Sequence, residues 1–216
     1  MLCDYAELEF PLDVNIDPYL STIHGCNGIV CIISYDWASQ QEIQDIYLWN
    51  PSIHKVISLP PVIDACMCNI GFGFDSETED YKVVRIEYFN GPNFDQNPPE
   101  VEIFNLSTGT WQNISHLNLP YTICKDAAQA YVKGATHWLA RDMRSTRSRS
   151  NLFVLIVSFH LVDEVFGEIM LPNSDDWLNN ARGANFQESL SNLCRCWYRR
   201  MLVLEALGVA IHIRGS

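Results

Sequence analysis

The sequence predicts an all-β protein, and three observations support this expectation. Short apolar runs alternate with turn signals over most of the 216 residues, and helical patterning is almost absent before residue 174. Three strand-like runs close on an aromatic residue, and the spacing between these residues is 55 positions both times: Trp49, Phe104 and Phe159. Each segment then ends in Leu-Pro, at Pro60, Pro120 and Pro172. The chain is therefore read as three repeated units.

Each unit contains two hairpins joined by a linker. In the first unit the leading hairpin turns at Asn27-Gly28, a strong hairpin signal because a type I′ turn needs positive φ at both central residues. In the third unit the leading hairpin turns at Lys133-Gly134, which has glycine at the same turn position as Gly28. In the second unit the polar residues 75–80 join the two strands. The second hairpin of the first unit lies in residues 45–61, so each unit predicts four short antiparallel strands.

A period near 50 residues with four strands in each period indicates a β-propeller blade. A β-sandwich with accidental spacing is the alternative. We expect three blades in residues 21–172, preceded by an N-terminal segment in residues 1–20. Residues 173–216 lose the pattern and are expected to form a partial fourth blade or a divergent tail. Because propellers typically need about four to eight blades to close, the prediction is an incomplete propeller.

Composition and charge narrow the range of functions. The net charge of −12 argues against nucleic-acid binding, since phosphate backbones select basic surfaces. Apolar runs stay far below the roughly 20 residues of a membrane span, and the N-terminus lacks the pattern of a signal peptide. We therefore expect no membrane contact and a cytoplasmic or nuclear location. The eight cysteines are expected to be reduced and mostly packed.

Motifs for chemistry are nearly absent from the sequence. It contains no phosphate-binding loop, H-E-x-x-H or G-x-S-x-G, and Gly71-Phe72-Gly73 is interpreted as strand sequence. His24, Cys26 and Cys31 flank one hairpin, where packing is favoured over a metal site. We predict no catalytic residue, no metal and no cofactor. The strand histidines His137 and His160 are interpreted as structural. A set of aromatic residues is also interpreted as structural and is expected to pack between blades at equivalent strand positions: Tyr47, Trp49, Phe104, Trp111, Trp138 and Phe159.

One charged feature is a candidate binding site. Four arginines lie within nine residues of an otherwise acidic chain: Arg141, Arg144, Arg147 and Arg149. They fall between two strands of the third unit, in a predicted exposed loop. Arginine clusters bind acidic or phosphorylated partners, so these residues are the predicted partner contact. A solvated insertion is the alternative. Paired carboxylates, including Glu77, Glu79 and Asp80, are expected to be solvated turn charges.

Several spaced segments resemble the F-box-associated domain of plant F-box proteins, of the kelch-like type. They are "GCNGIVCI" (25–32), "LWNPSIHKVISLP" (48–60), "GFGFDSETEDYKVVRI" (71–86), "VEIFNLSTGTWQNI" (101–114), "VKGATHWLA" (132–140) and "SFHLVDEVFGEIMLP" (158–172). The resemblance implies a propeller-like domain that holds a protein substrate for ubiquitination and is not an enzyme. A Skp-type adaptor and a cullin are implied only if an F-box is encoded upstream, because no F-box pattern precedes residue 20. Residues 195–216 depart from the family pattern.

The favoured hypothesis is therefore a non-catalytic substrate-recognition module of an F-box type ubiquitin ligase. One alternative is a truncated, non-functional fragment of the family. A less favoured alternative is an enzyme built on a propeller scaffold, which would need convergent ionisable residues on one rim.

Overall fold

The structure is a computed structural model that describes residues 19–36, 41–60, 67–88, 98–124, 129–142 and 154–170. These residues form three antiparallel sheets, which we call blades 1, 2 and 3. Blade 1 contains β1 (Tyr19–Cys26), β2 (Ile29–Asp36), β3 (Gln41–Asn50) and β4 (Lys55–Ser58). Blade 2 contains β5 (Met67–Asp75), β6 (Asp80–Tyr88), β7 (Glu100–Asn105) and β8 (Thr110–Asn113). Blade 3 contains β9 (Tyr121–Ile123), β10 (Ala130–Val132), β11 (Ala135–Asp142), β12 (Val154–His160) and β13 (Val165–Met170).

The three predicted units are confirmed as sheets, with one difference in blade 3. Blades 1 and 2 pair four strands in sequence order. In blade 3 the inner strand is divided, because β10 pairs with the start of β11 and β9 pairs with its end. A short 3₁₀ helix, Ser115–Leu117, precedes β9. No helix within the described residues has the length and apolar character needed to cross a membrane. Residues 1–18 and 171–216 lie outside the described residues, so the predicted outer segments stay predictions.

The hairpin turns follow the predicted backbone chemistry. Asn27 and Gly28 have φ of 46° and 79°, and Lys133 and Gly134 have φ of 49° and 79°. Both pairs therefore meet the requirement of a type I′ turn, although lysine is not a usual residue for it. The four-residue turns also share a geometry, since their last residue has positive φ: His54, Glu79, Gly109 and Glu164. The repeat thus extends to the conformation of individual turn residues.

The three evenly spaced aromatics occupy one structural position. Trp49, Phe104 and Phe159 are the second-last residues of β3, β7 and β12, respectively, and all three are buried. Phe104 packs in a core cluster shared with blade 1, and Phe159 packs in one shared with blade 2. The wider expectation of six equivalent aromatics is wrong. Tyr47 lies two residues earlier on β3, whereas Trp111 is on β8 and Trp138 is on β11.

Blade 2 lies between the other two blades, because β5 contacts β1 on one side and β10 and β11 on the other. Its glycines allow the close approach of blade 3. A Cβ atom on Gly71 would lie 2.4 Å from a ring carbon of Trp138, and one on Gly73 would lie 2.3 Å from the Tyr131 ring. The indole N–H of Trp138 donates to the carbonyl of Ile70 at 3.3 Å. The Gly-Phe-Gly sequence is therefore strand, as expected, and it provides space for aromatic side chains of the next blade.

Candidate functional site

The strand order divides the connections between two rims. Each blade contains two hairpins. The turns of both hairpins lie on one edge of the blade, and the connection between the two hairpins lies on the opposite edge. We call the first edge the turn rim; it carries the six turns at residues 27–28, 51–54, 76–79, 106–109, 133–134 and 161–164. The opposite edge, the loop rim, is where β2, β6 and β11 end and where β3, β7 and β12 begin. Its connections, residues 37–40, 89–99 and 143–153, are up to eleven residues long.

A buried ion pair network fastens the turn rims of blades 2 and 3. Lys82 Nζ donates to Glu164 Oε1 at 2.9 Å and to the carbonyl of Leu161 at 2.8 Å, and it lies 2.8 Å from Asp75 Oδ2. Burial alone would lower the pKa of Lys82, but hydrogen bonds to Asp75 and Glu164 outweigh this effect and raise it. Burial likewise opposes ionisation of Asp75, yet Lys82 and the donors of the 76–79 turn lower its pKa to about 2.

A second buried carboxylate joins two turns within blade 2. Asp80 accepts hydrogen bonds from Ser107 Oγ at 2.6 Å and from the Ser107 amide at 3.0 Å. Asp80 is 7% exposed, so the expectation of a solvated turn charge is wrong for this residue. It holds for Glu77 and Glu79, which are exposed in the same turn. The residues of the turn rim are thus used to hold neighbouring turns together.

A different cluster lies towards the loop rim, at the seam between blades 1 and 2. Arg85 Nε lies 2.9 Å from Glu87 Oε1 and donates to Glu102 Oε2 at 3.1 Å. Its guanidinium carbon is 4.2 Å from the centre of a Trp111 ring, a cation–π contact. Burial raises the pKa of Glu87; Arg85 opposes this rise, while Glu102 and Glu100 add to it. One buried guanidinium therefore pairs with two carboxylates, and a third, Glu100, lies opposite Glu87 on the neighbouring strand.

Tyrosines close the seam between blades 2 and 3 at the same rim. The Tyr88 hydroxyl donates to the carbonyl of Tyr121 and accepts from the Ile123 amide, both at 3.1 Å. Burial raises the pKa of Tyr88, so this hydroxyl stays protonated. The Tyr121 hydroxyl in turn donates to Glu168 of the outer strand β13. Both hydroxyls are therefore bonded to protein groups, that of Tyr88 across the seam and that of Tyr121 within blade 3.

Only one of the four predicted arginines is within the described residues. The backbone of Arg141 lies in β11, where it pairs with Thr122 and Val154, so Arg141 is in a strand and not in the predicted loop. This position is next to the end of β11 at the loop rim. Arg144, Arg147 and Arg149 lie outside the described residues. The structure therefore does not test whether the four arginines lie together, and the predicted arginine contact stays a prediction.

The histidines and cysteines set aside in the sequence occupy structural positions. His137 is a buried strand residue, and desolvation, helped by the neighbouring His160, lowers its pKa to about 4. Cys26, Cys31 and Cys124 are buried free thiols, and burial strongly raises the pKa of Cys31. Among the described residues, no three His, Cys, Asp or Glu are arranged to hold a metal ion.

The buried charges of β6 have a signal in the sequence. Strand β6 reads "DYKVVRIEY", so Lys82, Arg85 and Glu87 interrupt a strand of Val and Ile whose residues are buried on both faces. A charge in such a strand predicts a buried ion pair, because an unpaired charge there is very costly. Their partners could not be named from the sequence, since Glu164 is 82 residues away.

Comparison with known families decides the fold. The model of the F-box associated beta propeller domain matches residues 6–203. The chain belongs to this family. The propeller interpretation is therefore confirmed over the sandwich alternative, and the three sheets are blades of a propeller domain.

Curated relatives from Arabidopsis thaliana agree with this assignment. "F-box protein At3g07870" is 30% identical over 175 residues, which cover 72% of this chain and 40% of the relative. "F-box/kelch-repeat protein At3g23880" is 26% identical over 163 residues, covering 71% of this chain and 39% of the relative. "Putative F-box protein At3g10430" is 25% identical over 158 residues. The chain spans about two-fifths of the length of the curated relatives that it matches.

Proposed function

We propose that this chain is the substrate-binding part of an F-box protein and that it captures a protein partner at the loop rim without catalysing a reaction. The observation that carries this proposal is the division between the two rims. The turn rim is built from turns bonded to one another, whereas the loop rim carries the long connections. Binding residues are disproportionately found on loops that a rigid scaffold positions.

Membership of the family supports the partner class, since its matched relatives are named F-box proteins. In the whole protein, an F-box would connect this domain to a Skp-type adaptor and a cullin, so that the captured partner becomes the substrate for ubiquitination. This assembly would operate in the cytoplasm or the nucleus.

A non-catalytic role suits the ionisable groups described at the loop rim. Arg85 is engaged by Glu87 and Glu102. The Tyr88 hydroxyl is hydrogen-bonded across the seam between blades 2 and 3, and the Tyr121 hydroxyl is hydrogen-bonded to Glu168 within blade 3. These groups are held by other protein groups, and the chemistry of the rim then lies in contacts to a partner rather than in acid–base catalysis.

The proposal is tested by capture with matched variants. One variant replaces residues 89–97 of the loop rim by a Gly-Ser stretch of equal length, and a second replaces the four arginines 141, 144, 147 and 149 by serine. The control replaces the exposed turn-rim residues Glu77 and Glu79 by serine. Proteins captured from plant extract are compared by quantitative mass spectrometry, and each chain is also fused to an F-box to follow the abundance of its captured proteins.

We expect the control to capture the same proteins as the unmodified chain and to lower their abundance when fused to an F-box. At least one loop-rim variant should lose both effects while keeping its melting temperature. If both loop-rim variants capture and deplete the same proteins as the unmodified chain, the loop rim is not the binding surface and the proposal is rejected.

A further inference from the structure

Blades 1 and 2 contain many more acidic than basic residues, and most of the basic side chains are buried. Residues 19–113 contain twelve Asp and Glu but only three Lys and Arg, namely Lys55, Lys82 and Arg85. Lys82 and Arg85 are 4% and 6% exposed and are neutralised by internal ion pairs. Lys55 is the remaining cation, and it is exposed beside the 51–54 turn at the turn rim. The loop rim of these two blades therefore presents acidic groups without exposed basic ones among its described residues.

The negative charge concentrates at one point of this rim. Glu87 and Glu100 are directly opposite each other on β6 and β7, and Glu102 lies opposite Arg85 on the same face. We call these three carboxylates the acidic notch. Like charges in direct cross-strand pairs are destabilising, and Arg85 makes ion pairs with Glu87 and Glu102 but not with Glu100. The notch holds more negative charge than the described residues compensate.

The buried members of the cluster also leave hydrogen-bonding capacity unused. Glu87 is 4% exposed, and its Oε1 atom, although close to Arg85 Nε, makes no hydrogen bond of good geometry. Arg85 Nη1 is buried beside it and has no hydrogen-bond partner within the described part of the chain. A buried guanidinium nitrogen without an acceptor is costly for the free protein. It fits a ligand that offers a carbonyl acceptor beside its cationic groups.

We propose that the acidic notch binds a lysine- or arginine-rich extended segment of the protein partner. The basic side chains would neutralise Glu87 and Glu100, and a backbone carbonyl of the segment would reach Arg85. Residues 89–99, which join the two strands that carry Glu87 and Glu100, contain no Lys or Arg. A metal ion fits poorly, because no three acidic groups among the described residues are arranged for one. This proposal rests on the proposed function and gives the partner a chemical class.

The test uses two fluorescein-labelled twelve-residue peptides, one alternating Lys with Ser and the other alternating Glu with Ser. Binding is measured by fluorescence anisotropy in the purified full chain and in two variants with the same change in net charge. Glu100→Lys alters the notch, and Glu77→Lys alters an exposed glutamate of the same blade at the turn rim. A third variant, Glu87→Gln, keeps the size of the side chain and removes the buried charge. Melting temperatures are recorded for all of them.

We expect the lysine peptide to bind and the glutamate peptide not to bind. Glu100→Lys should weaken binding of the lysine peptide by about five-fold or more, and Glu77→Lys by less than about two-fold. Glu87→Gln should weaken it with the melting temperature unchanged or raised, and added salt should weaken it in the unmodified chain. Equal effects of Glu100→Lys and Glu77→Lys would show non-specific attraction and overturn the proposal, as would equal binding of the two peptides.

Failure of the notch is distinguishable from failure of the proposed function. If the lysine peptide does not bind but protein capture still depends on the loop-rim replacements, the acidic notch is rejected and the recognition role stands. If capture is independent of those replacements, the recognition surface itself is rejected.

Discussion

The two rims of the domain satisfy their buried charges to different degrees. At the turn rim, the buried Lys82 and Asp75 compensate each other, and the partly exposed Glu164 adds an ion pair that bonds blade 3 to blade 2. Towards the loop rim, Arg85 pairs with Glu87 and Glu102, while Glu100 lies directly opposite Glu87 without an ion pair to Arg85, so the balance is more negative. The comparison shows that the charged residues at the two ends of β6 have different roles. Lys82 at one end bonds blades 2 and 3 together, whereas the carboxylates beside Arg85 at the other end are available to bind a partner.

Breaking the compensated end should have the largest effect. Lys82→Met removes the cation and leaves Asp75 and Glu164 without it, so we expect a loss of about 3–5 kcal/mol in the free energy of unfolding. Lys55→Met, at an exposed site of the same charge, should change the free energy of unfolding by less than about 0.5 kcal/mol. Urea denaturation of both variants measures the difference. Similar values for the two would mean that the network does not hold blades 2 and 3 together.

A substitution in the seam between the rims should have an intermediate effect. In Gly71→Ala the new methyl group would meet the Trp138 ring at 2.4 Å, and the overpacking should cost about 1–3 kcal/mol of unfolding free energy. Gly25→Ala is the matched control, because its Cβ atom would have no neighbour closer than 3.9 Å. Thermal melts should separate the two variants. A fully stable Gly71→Ala protein would contradict the close packing of blade 3 on β5.

The smallest stability effect is expected at the negative end, and its sign is opposite. Because the pKa of Glu87 is raised, the folded state disfavours its ionised form, and this penalty applies above the folded pKa and disappears as the pH falls. Glu87→Gln should therefore leave the unfolding free energy at pH 7 unchanged or raise it by less than about 1 kcal/mol. Destabilisation of more than about 1 kcal/mol would show that the ion pair with Arg85 outweighs the repulsion.

The two ends should also separate on acidification. The pKa of Asp75 is lowered from its ordinary value of 3.8 to about 2, so its contribution is fully present above pH 4 and is lost as the pH falls towards 2. Asp75→Asn should remove this acid-dependent loss, whereas Glu87→Gln should not. Denaturation curves between pH 2 and pH 7 measure both.

The fold could be predicted because its signals are local. Asn27-Gly28, Lys133-Gly134 and the aromatic closing each third strand are readable within a few residues, and the structure confirms them. Because similar signals recur in all three units, each unit supports the interpretation of the others. The divided inner strand of blade 3 could not be read in this way, because β9 is defined by pairing with the far end of β11.

The seams were largely missed because they join residues far apart in sequence. Asp80 reads as a turn carboxylate until Ser107, 27 residues later, is placed beside it. Trp138 and Trp111 read as members of one aromatic set until the sheets place them on different strands. The four candidate arginines show what composition alone provides. An arginine-rich loop indicates the charge of a partner, but it does not give the positions of the side chains.

Hydrogen–deuterium exchange of the chain, free and bound to a captured protein, tests the central claim most directly. We expect binding to slow amide exchange at the ends of strands on the loop rim, around Asp36, Tyr88, Glu100 and Asp142. Exchange at the turns 51–54, 76–79 and 106–109 should not change. Protection confined to those turns, with the loop rim unaffected, would show that the loop rim is not the binding surface.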